Sequence, residues 1–314
     1  TISSLFSITS SLLLIFAKDT FTYVIGQSFV GAAAGIYWPA AELAVPYLCK
    51  PIETSKAYAL VRSSEALGIF LGVFSGSLIN SIIYFKSIYI NDILCMIVII
   101  SLIMRNKLTI KTTIFKNEIS KSNLSNSSEN KWHQNTKLII ISIVLLTTCL
   151  ALIQVTLPLD FVKGGIFREG ITKNLTSFII STQLILLFIF QWPVGNWLTN
   201  KGKLFGLKFS LMNFCLCTFL LFLSSYFKIF GFYLMLLAII FCGIGTSSFL
   251  PSSSDIVFRI APNNKKGFAL AILSQCFAIG YFIGPIASGK ILDYFGNASI
   301  IWITISISCL IMSS

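Results

Sequence analysis

Long apolar runs separated by short polar loops form the hydrophobic pattern of this chain. A helix needs about 20 mostly apolar residues to cross a bilayer. Runs near or above that length recur along the whole sequence, so the pattern predicts about ten membrane-spanning helices. The predicted spans are 1–17, 21–45, 57–83, 88–104, 137–159, 174–194, 204–226, 229–250, 267–292 and 297–314.

One long polar segment interrupts this pattern, at 106–136 between the fourth and fifth spans. It is rich in Lys, Ser and Asn, a composition typical of a flexible linker. The chain is therefore predicted to consist of two helical halves, 1–105 and 137–314, joined by this linker. Because the sequence begins without Met and stops inside an apolar run, we expect it to be truncated at both ends.

Composition supports a membrane protein. The 314 residues are 55% hydrophobic and 11% charged, whereas soluble domains carry about 25% charged residues. The predicted class is thus an all-α polytopic membrane protein. The formal net charge of +12 is spread over many short loops, so we expect no nucleic-acid partner.

The basic residues also predict an orientation. Loops and span ends on the side of the long polar segment hold 15 Lys and Arg residues, and those on the opposite side hold 7. Positively charged loops stay in the cytoplasm. We therefore expect a cytoplasmic linker, with the first span running from inside to outside.

Two stretches of the sequence form an internal repeat. "YWPAAELAVPYLCKPIETSKAYALVRSSEALGIFLGVFSG" parallels "FLPSSSDIVFRIAPNNKKGFALAILSQCFAIGYFIGPIASG", and the matching residues lie 212 positions apart. An even number of spans separates the copies, so both insert in the same orientation. Parallel repeats of this kind are a transporter architecture, with a substrate site between the two halves. The matched pairs include Pro39 and Pro251, Ala57 and Ala269, Ala59 and Ala271, Gly68 and Gly280, and Gly72 and Gly284.

With this repeat and the central linker, the chain resembles the major facilitator superfamily of twelve-span carriers. The resemblance extends over essentially the whole chain and places it from the third to the twelfth span of the family fold. It implies an N-terminal bundle of spans 3–6, a C-terminal bundle of spans 7–12, and transport of a small solute by alternating access. A non-transporting sensor or scaffold of the same fold is the alternative.

Shorter motifs match the family unevenly. "GNWLTNKGKLFG" resembles a cytoplasmic loop motif of the family, with Gly195, Gly202 and Lys203 at matching positions. In this motif Thr199 and Asn200 replace the usual Asp and Arg. In the second predicted span, Gln27 stands where proton-coupled members carry an arginine, so the motif gives no support for proton coupling.

Three of the charged residues inside predicted spans lie in two consecutive spans, the second and the third. Arg62 and Glu65 share a helix face at i, i+3, and Glu42 lies near the cytoplasmic end of the preceding span. Since charges within a bilayer are costly, these residues are candidates for a gating or substrate-contacting cluster. A structural ion pair within one bundle explains them equally well.

Amide and aromatic side chains supply candidates for the substrate cavity. In the resembled fold, the helices that contain these amides line the central cavity. A buried amide requires a partner or water, so a hydrogen bond between helices is the alternative to a place in the cavity. For the aromatic residue, the alternative is a position at the membrane interface. The candidates are Gln27, Gln154, Gln183, Gln275 and Trp38.

Small residues, mostly glycine, recur at every fourth position in both copies of the repeat. At that spacing they form a smooth stripe on which another helix can pack closely, and Pro285 predicts a kink. We interpret both stripes as packing and hinge surfaces. Their members are Gly68, Gly72 and Gly76 in the first copy, and Gly280, Gly284, Pro285 and Ser288 in the second.

No enzymatic motif is visible. The sequence lacks a phosphate-binding glycine loop, the cysteines are dispersed, and the single histidine, His133, lies in the linker. We therefore expect no cofactor, no metal and no catalysis. The expected partners are a small-molecule substrate, with or without a coupling ion, and membrane lipid, and the expected state is a monomer. Asp160, Arg168 and Glu169 are predicted to form a solvated outer surface.

Overall fold

A computed structural model describes residues 2–48, 54–78, 82–105, 129–198, 201, 204–262 and 265–314. Within these residues the chain forms ten α-helices and no strand, which confirms the predicted all-α class. The helices are α1 (Ile2–Phe16), α2 (Thr20–Leu48), α3 (Thr54–Leu78), α4 (Ile82–Arg105), α5 (Glu129–Lys163), α6 (Lys173–Leu198), α7 (Phe205–Ser224), α8 (Phe230–Ile260), α9 (Lys266–Phe295) and α10 (Ser299–Ser313).

Six of these helices, α4 to α9, are long and apolar enough to cross a membrane. Helices α1 and α10 are apolar but contain only 15 residues each. Helices α2 and α3 are long, with 29 and 25 residues, but Gly, Ala and polar residues lower their hydropathy. The fold is that of a multi-pass membrane protein.

Two helices extend beyond their predicted spans. Helix α5 begins at Glu129, eight residues before the predicted start, because a helix emerging from a membrane can continue through polar residues in water. Helix α8 continues through Pro251 to Ile260 instead of ending at residue 250. Neighbouring helices and local adjustments satisfy the backbone around a proline within a membrane, so a proline is a poor marker of a helix end here.

Packing among the helices brings the two predicted halves together. Helix α1 packs against α2 and α4, whereas in the C-terminal half α5 packs against α9, and α7 packs between α8 and α10. Contacts across the two halves join α3 to α6 and α8, and α2 to α9. We call the end of the bundle where α4 finishes and α5 begins the linker side, and the other end the opposite side.

The glycine stripe of α9 lies directly against α5. A β-carbon added at Gly280 would lie 2.7 Å from the backbone nitrogen of Thr148, and one added at Gly284 would lie 3.3 Å from Ala151 Cβ. Farther along the stripe, Thr156 Oγ1 donates a hydrogen bond to Ser288 Oγ at 2.7 Å. Small residues on α9 therefore allow a close approach of two helix backbones.

The opposite side contains a buried ion pair that corrects the predicted solvated surface. Asp160, at the end of α5, is 0% exposed, and Arg168, in the following loop, is 5% exposed. Arg168 Nη2 lies 3.1 Å from Asp160 Oδ2, and Trp302 Nε1 donates to the same oxygen at 3.2 Å. Arg168 Nη1 donates to Ser224 Oγ at 2.7 Å. These bonds tie together the ends of α5, α7 and α10.

Glu169, next in the chain, does lie at the surface as predicted. Its carboxylate is 2.8 Å from Lys228 Nζ, and both side chains are largely exposed. The hydrogen bond from Lys228 holds the pKa of Glu169 below its usual range. The same bond raises the pKa of Lys228. A sequence pattern cannot distinguish the buried Arg168 from its exposed neighbour, because both occupy one short loop.

Candidate functional site

The three intramembrane charges predicted from the sequence form one cluster, which we call the charge cluster (Glu42, Arg62 and Glu65). Arg62, on α3, bonds through Nη2 to Glu42 Oε1 of α2. Its Nη1 lies 2.8 Å from Glu65 Oε2, one helical turn along α3. Glu42 and Arg62 are 6% and 5% exposed, so the cluster lies in the protein interior.

Helix geometry and neighbouring aromatic rings hold the cluster in place. The i, i+3 spacing puts Arg62 and Glu65 on one face of α3. The guanidinium of Arg62 lies 5.1 Å from the ring centroid of Trp38, a cation–π contact. Tyr58 Oη donates to the backbone oxygen of Glu42 at 2.9 Å. Trp38 thus lies against the charge cluster.

A residue from the C-terminal half completes the site. Ser254, on α8, donates from Oγ to Glu42 Oε1 at 3.0 Å, and the two residues are 212 positions apart. That separation equals the offset of the internal repeat. Equivalent positions of the two copies therefore meet face to face. The charge cluster lies at a junction of the halves as well as within the N-terminal half.

A second set of polar contacts joins the halves closer to the linker side. Thr54, the first residue of α3, donates to Asp255 Oδ1 of α8 at 2.7 Å. Arg259 Nη2 lies 2.6 Å from Thr54 Oγ1, and its Nε donates to Asp255 Oδ1 at 2.8 Å. We call these three residues the linker-side triad. Sequence analysis missed it, because Asp255 and Arg259 lie beyond the predicted end of α8.

Tight helix packing accompanies these polar contacts. Gly195 of α6, a residue of the predicted loop motif, faces Ala59 of α3, and a β-carbon added at Gly195 would collide with the Ala59 methyl group. At the second contact between the halves, where α2 meets α9, a β-carbon added at Gly267 would lie 3.7 Å from Leu43. The described helices of the two halves thus contact each other on the linker side. Gly202 and Lys203, the rest of the predicted motif, lie outside the described residues.

The predicted amides fall into two groups. Gln27, Gln154 and Gln275 are exposed. In contrast, Gln183 is partly buried and donates from Nε2 to Cys242 Sγ of α8 at 3.3 Å. Gln183 therefore makes the interhelical bond that was the alternative for these amides. Gln191, on the same helix, likewise donates to the Ser247 backbone oxygen at 3.2 Å.

Tyr281 of α9 is the neighbour of one of the exposed amides. This α9 residue interacts with the side chain of Gln154 and electrostatically with Glu65 of α3. The Glu65 side chain is 25% exposed. Tyr281 was not predicted, since a tyrosine inside a glycine-patterned helix has no distinguishing pattern in the sequence.

The first glycine stripe differs from the second. A β-carbon added at Gly68 or Gly72 of α3 would meet no described atom within 4 Å. Gly76 lies near the end of the same helix. Within the described residues, close helix approach is thus seen for the stripe of α9.

An apolar pocket lies apart from the candidate residues. This small pocket lies between α5, α8 and α9, and none of the candidate residues lines it. Among the described residues, no group of three or more His, Cys, Asp or Glu side chains is arranged to hold a metal ion. The charge cluster and its neighbours therefore form the candidate site.

Comparison with protein families gives matches over both halves. A family model described as Major Facilitator Superfamily matches residues 1–165 and again residues 139–313. The chain is also similar to the multidrug resistance protein MdtG of Salmonella arizonae, with 22% identity over 176 residues, which is 56% of this chain and 42% of that protein. MdtG of Citrobacter koseri is 23% identical with the same coverage. The chain thus spans less than half the length of these relatives.

Comparison with solved structures shows the same fold. The crystal structure of the E. coli fucose:proton symporter FucP superposes with a TM-score of 0.71 and 14% sequence identity. The match covers 99% of this chain and 81% of the FucP chain. At that identity, the similarity is one of fold.

Proposed function

The chain belongs to the Major Facilitator Superfamily, and we propose that it carries a small solute across the membrane by alternating access of its two halves. Membership of this family points to transport rather than catalysis. The two halves would be 1–105 and 137–314, with 106–136 as the linker. Transport would proceed by rocking these halves about a site between them.

The observation that carries this proposal is the hydrogen bond between Glu42 and Ser254. Alternating access requires contacts that form between the halves on one side and break when that side opens. This bond and the linker-side triad are contacts of that type. Both consist of a few polar bonds, which water can replace once the halves separate.

The distribution of basic residues supports a direction for this arrangement. If the positive-inside rule holds here, the linker side faces the cytoplasm. Contact between the halves on the linker side would then correspond to a carrier that is shut toward the cytoplasm. The Ser254 bond and the triad would form its cytoplasmic gate.

Exposed amides and aromatic rings support an organic solute. Gln154 and Gln275 are our candidate substrate contacts from the C-terminal half, and Gln27 and Trp38 are those from the N-terminal half. An amide both donates and accepts hydrogen bonds, which suits neutral or amphipathic solutes. The names of the similar proteins, which refer to multidrug resistance and to fucose, agree with organic solutes. We expect a monomer surrounded by lipid.

Purified protein in liposomes tests this proposal. Vesicles loaded with one member of each class (a sugar, an amphipathic drug and an organic cation) are assayed for exchange against the labelled compound outside. Exchange above that of empty vesicles for at least one class is the expected result. Folded protein that exchanges none of them would contradict the proposal and favour a sensor or scaffold.

A further inference from the structure

The connection between α6 and α7 carries positive charge at the linker side without an acidic partner. Lys201 lies in this connection and Lys208 in the first turn of α7, and both are exposed. Neither lysine forms a salt bridge with a described residue. The sequence contains no Asp or Glu between Glu169 and Asp255. A negatively charged group is therefore the complementary partner for this end of the bundle.

Aromatic rings fix the position of the Lys201 ammonium group. Its Nζ lies 5.4 Å from the ring centroid of Trp197 and 5.8 Å from that of Phe205, both within the range of cation–π contacts. The centroids of these two rings are 5.3 Å apart, and Phe209 packs against both. Trp197 and Phe205 remain exposed, as is common for aromatic residues at a membrane–water interface. The ammonium group is thus held beside the first residue of α7.

The exposed residues of α7 form one stripe that begins at this point. They recur at every third or fourth position, the spacing of a single helix face, whereas all other residues of α7 are buried or partly buried. Helices α8 and α10, which pack against α7, leave this face uncovered. Phe205 and Lys208 come first. The three residues that follow toward the opposite side, which we call the apolar stripe, are Met212, Leu216 and Phe219.

The length of this face matches one leaflet of a bilayer. The eleven positions from Lys208 to Phe219 correspond to a rise of about 16 Å along the helix, and one leaflet contributes about 15 Å to the hydrocarbon core. A long lysine side chain keeps its ammonium group at the level of the lipid headgroups. A phospholipid whose phosphate contacts the lysines can therefore lay one acyl chain along the whole apolar stripe.

We propose that this surface binds one anionic phospholipid from the leaflet at the linker side. Lys201 and Lys208 hold the headgroup phosphate, and the apolar stripe packs against an acyl chain. A zwitterionic phospholipid also has a phosphate, but the two lysines repel its own positive charge. The site therefore distinguishes lipids by the net charge of their headgroups. This inference goes beyond the proposed function and holds whether or not the protein transports a solute.

The arrangement exceeds what a signal for membrane orientation requires. Basic residues at the end of a span set its orientation through their charge alone. At this site, Lys201 is also held by two rings, and Lys208 is aligned with the apolar stripe. The surface thus matches both the charged and the apolar part of a lipid.

Photo-cross-linking of the full chain in lipid nanodiscs tests the site. Phosphatidylcholine discs contain a small fraction of phosphatidylglycerol with a photoreactive acyl chain, or of phosphatidylcholine with the same chain. Mass spectrometry measures the labelling of the apolar stripe. One lysine near a membrane surface favours an anionic lipid by about fivefold, so the two lysines are expected to give a roughly 25-fold preference for phosphatidylglycerol.

Charge variants identify the residues that cause the preference. K201Q/K208Q is expected to lower labelling by phosphatidylglycerol to the level of phosphatidylcholine. K201R/K208R keeps both charges and is expected to retain the preference. K173Q is the matched control, because Lys173 is exposed at the other end of α6. An unchanged preference in K201Q/K208Q, or an equal loss in K173Q, would overturn the site.

Soluble glycerol phosphate distinguishes a lipid from a free phosphate ester. It carries the phosphate without an acyl chain, so an excess is expected not to displace phosphatidylglycerol from the apolar stripe. Complete displacement would show a site for a soluble anion and overturn the lipid proposal. Equal labelling by the two lipids in the wild type, or labelling by neither, would also overturn it. Solute exchange is not part of this measurement, so a failure here is separate from a failure of the proposed function.

Discussion

Glu42 and Ser254 occupy equivalent positions in the two copies of the repeat and bond to each other at 3.0 Å. Two equivalent positions meet directly only where the axis that relates the copies passes between them. The side chains differ because only one copy carries the acid. The repeat therefore brings these two positions together. The difference in sequence between the copies makes the contact a hydrogen bond from a serine hydroxyl to a glutamate.

Replacing Ser254 tests whether this contact holds the linker side closed. S254A removes a hydrogen bond to a charged group, which contributes about 1.5 kcal/mol, so the closed-to-open ratio is expected to fall roughly tenfold. The measurement is the labelling rate of a cysteine introduced in place of the larger Leu43, which faces Gly267 between the halves. S253A is the matched control, since Ser253 donates within its own helix at 3.0 Å. Equal labelling of S254A and S253A would contradict this role.

Substituting the exposed amides tests the predicted substrate contacts. Q154A and Q275A are each expected to raise KM for the transported solute by roughly 2- to 10-fold, the effect of one lost hydrogen bond. Q183A is the comparison, because its amide bonds to Cys242 instead. Initial rates over a range of solute concentrations in liposomes provide KM. A larger KM effect for Q183A than for the other two variants would contradict this assignment.

The effect of an added methyl group on stability is expected to depend strongly on its position along α9. G280A places a β-carbon 2.7 Å from the Thr148 backbone nitrogen, so it is expected to lower the free energy of unfolding by about 1–3 kcal/mol. G289A, on the same helix, meets no described atom within 4 Å and is expected to have little effect. Thermal denaturation in detergent compares the two variants. Equal stability of G280A and wild type would show that the helices do not approach this closely.

Arg168 and Glu169 are neighbours in one loop, but substitutions at the two positions are expected to differ in their effect on stability. Arg168 forms a buried ion pair with Asp160. R168M leaves Asp160 buried without its partner, and breaking such a pair costs about 3–5 kcal/mol. E169Q breaks an exposed pair with Lys228, which solvent screens, so no measurable change is expected. Denaturation midpoints of the two variants in one detergent make the comparison. A midpoint for R168M equal to that of E169Q would show that Arg168 is solvated.

Much of the fold was predictable because the bilayer constrains it strongly. Backbone groups within lipid must bond internally, so each apolar run becomes a helix, and all ten helices lie at predicted spans. The family resemblance is confirmed by the match over residues 1–165 and 139–313. Helix ends were less predictable, since α8 continues through Pro251.

The candidate site was only partly predictable. Glu42, Arg62 and Glu65 were identified because charges are rare in apolar runs, and the structure brings them together. Ser254 and Tyr281 were missed, because an ordinary polar residue becomes informative only through its partner in the other half. The same limit applies to Asp160 and Arg168, whose burial depends on Trp302, more than a hundred positions away.

Cross-linking between Thr54 and Asp255 tests the central claim most directly. Their side-chain oxygens are 2.7 Å apart across the two halves, so T54C/D255C is expected to form a disulfide when oxidised. Solute exchange by the cross-linked protein should fall to the level of empty vesicles and return on reduction. T156C/S288C, with a 2.7 Å bond between α5 and α9 of one half, should cross-link without this loss. Because the chain has eight native cysteines, mass spectrometry must verify each link. Exchange at the wild-type rate by fully cross-linked T54C/D255C protein would contradict alternating access through this gate.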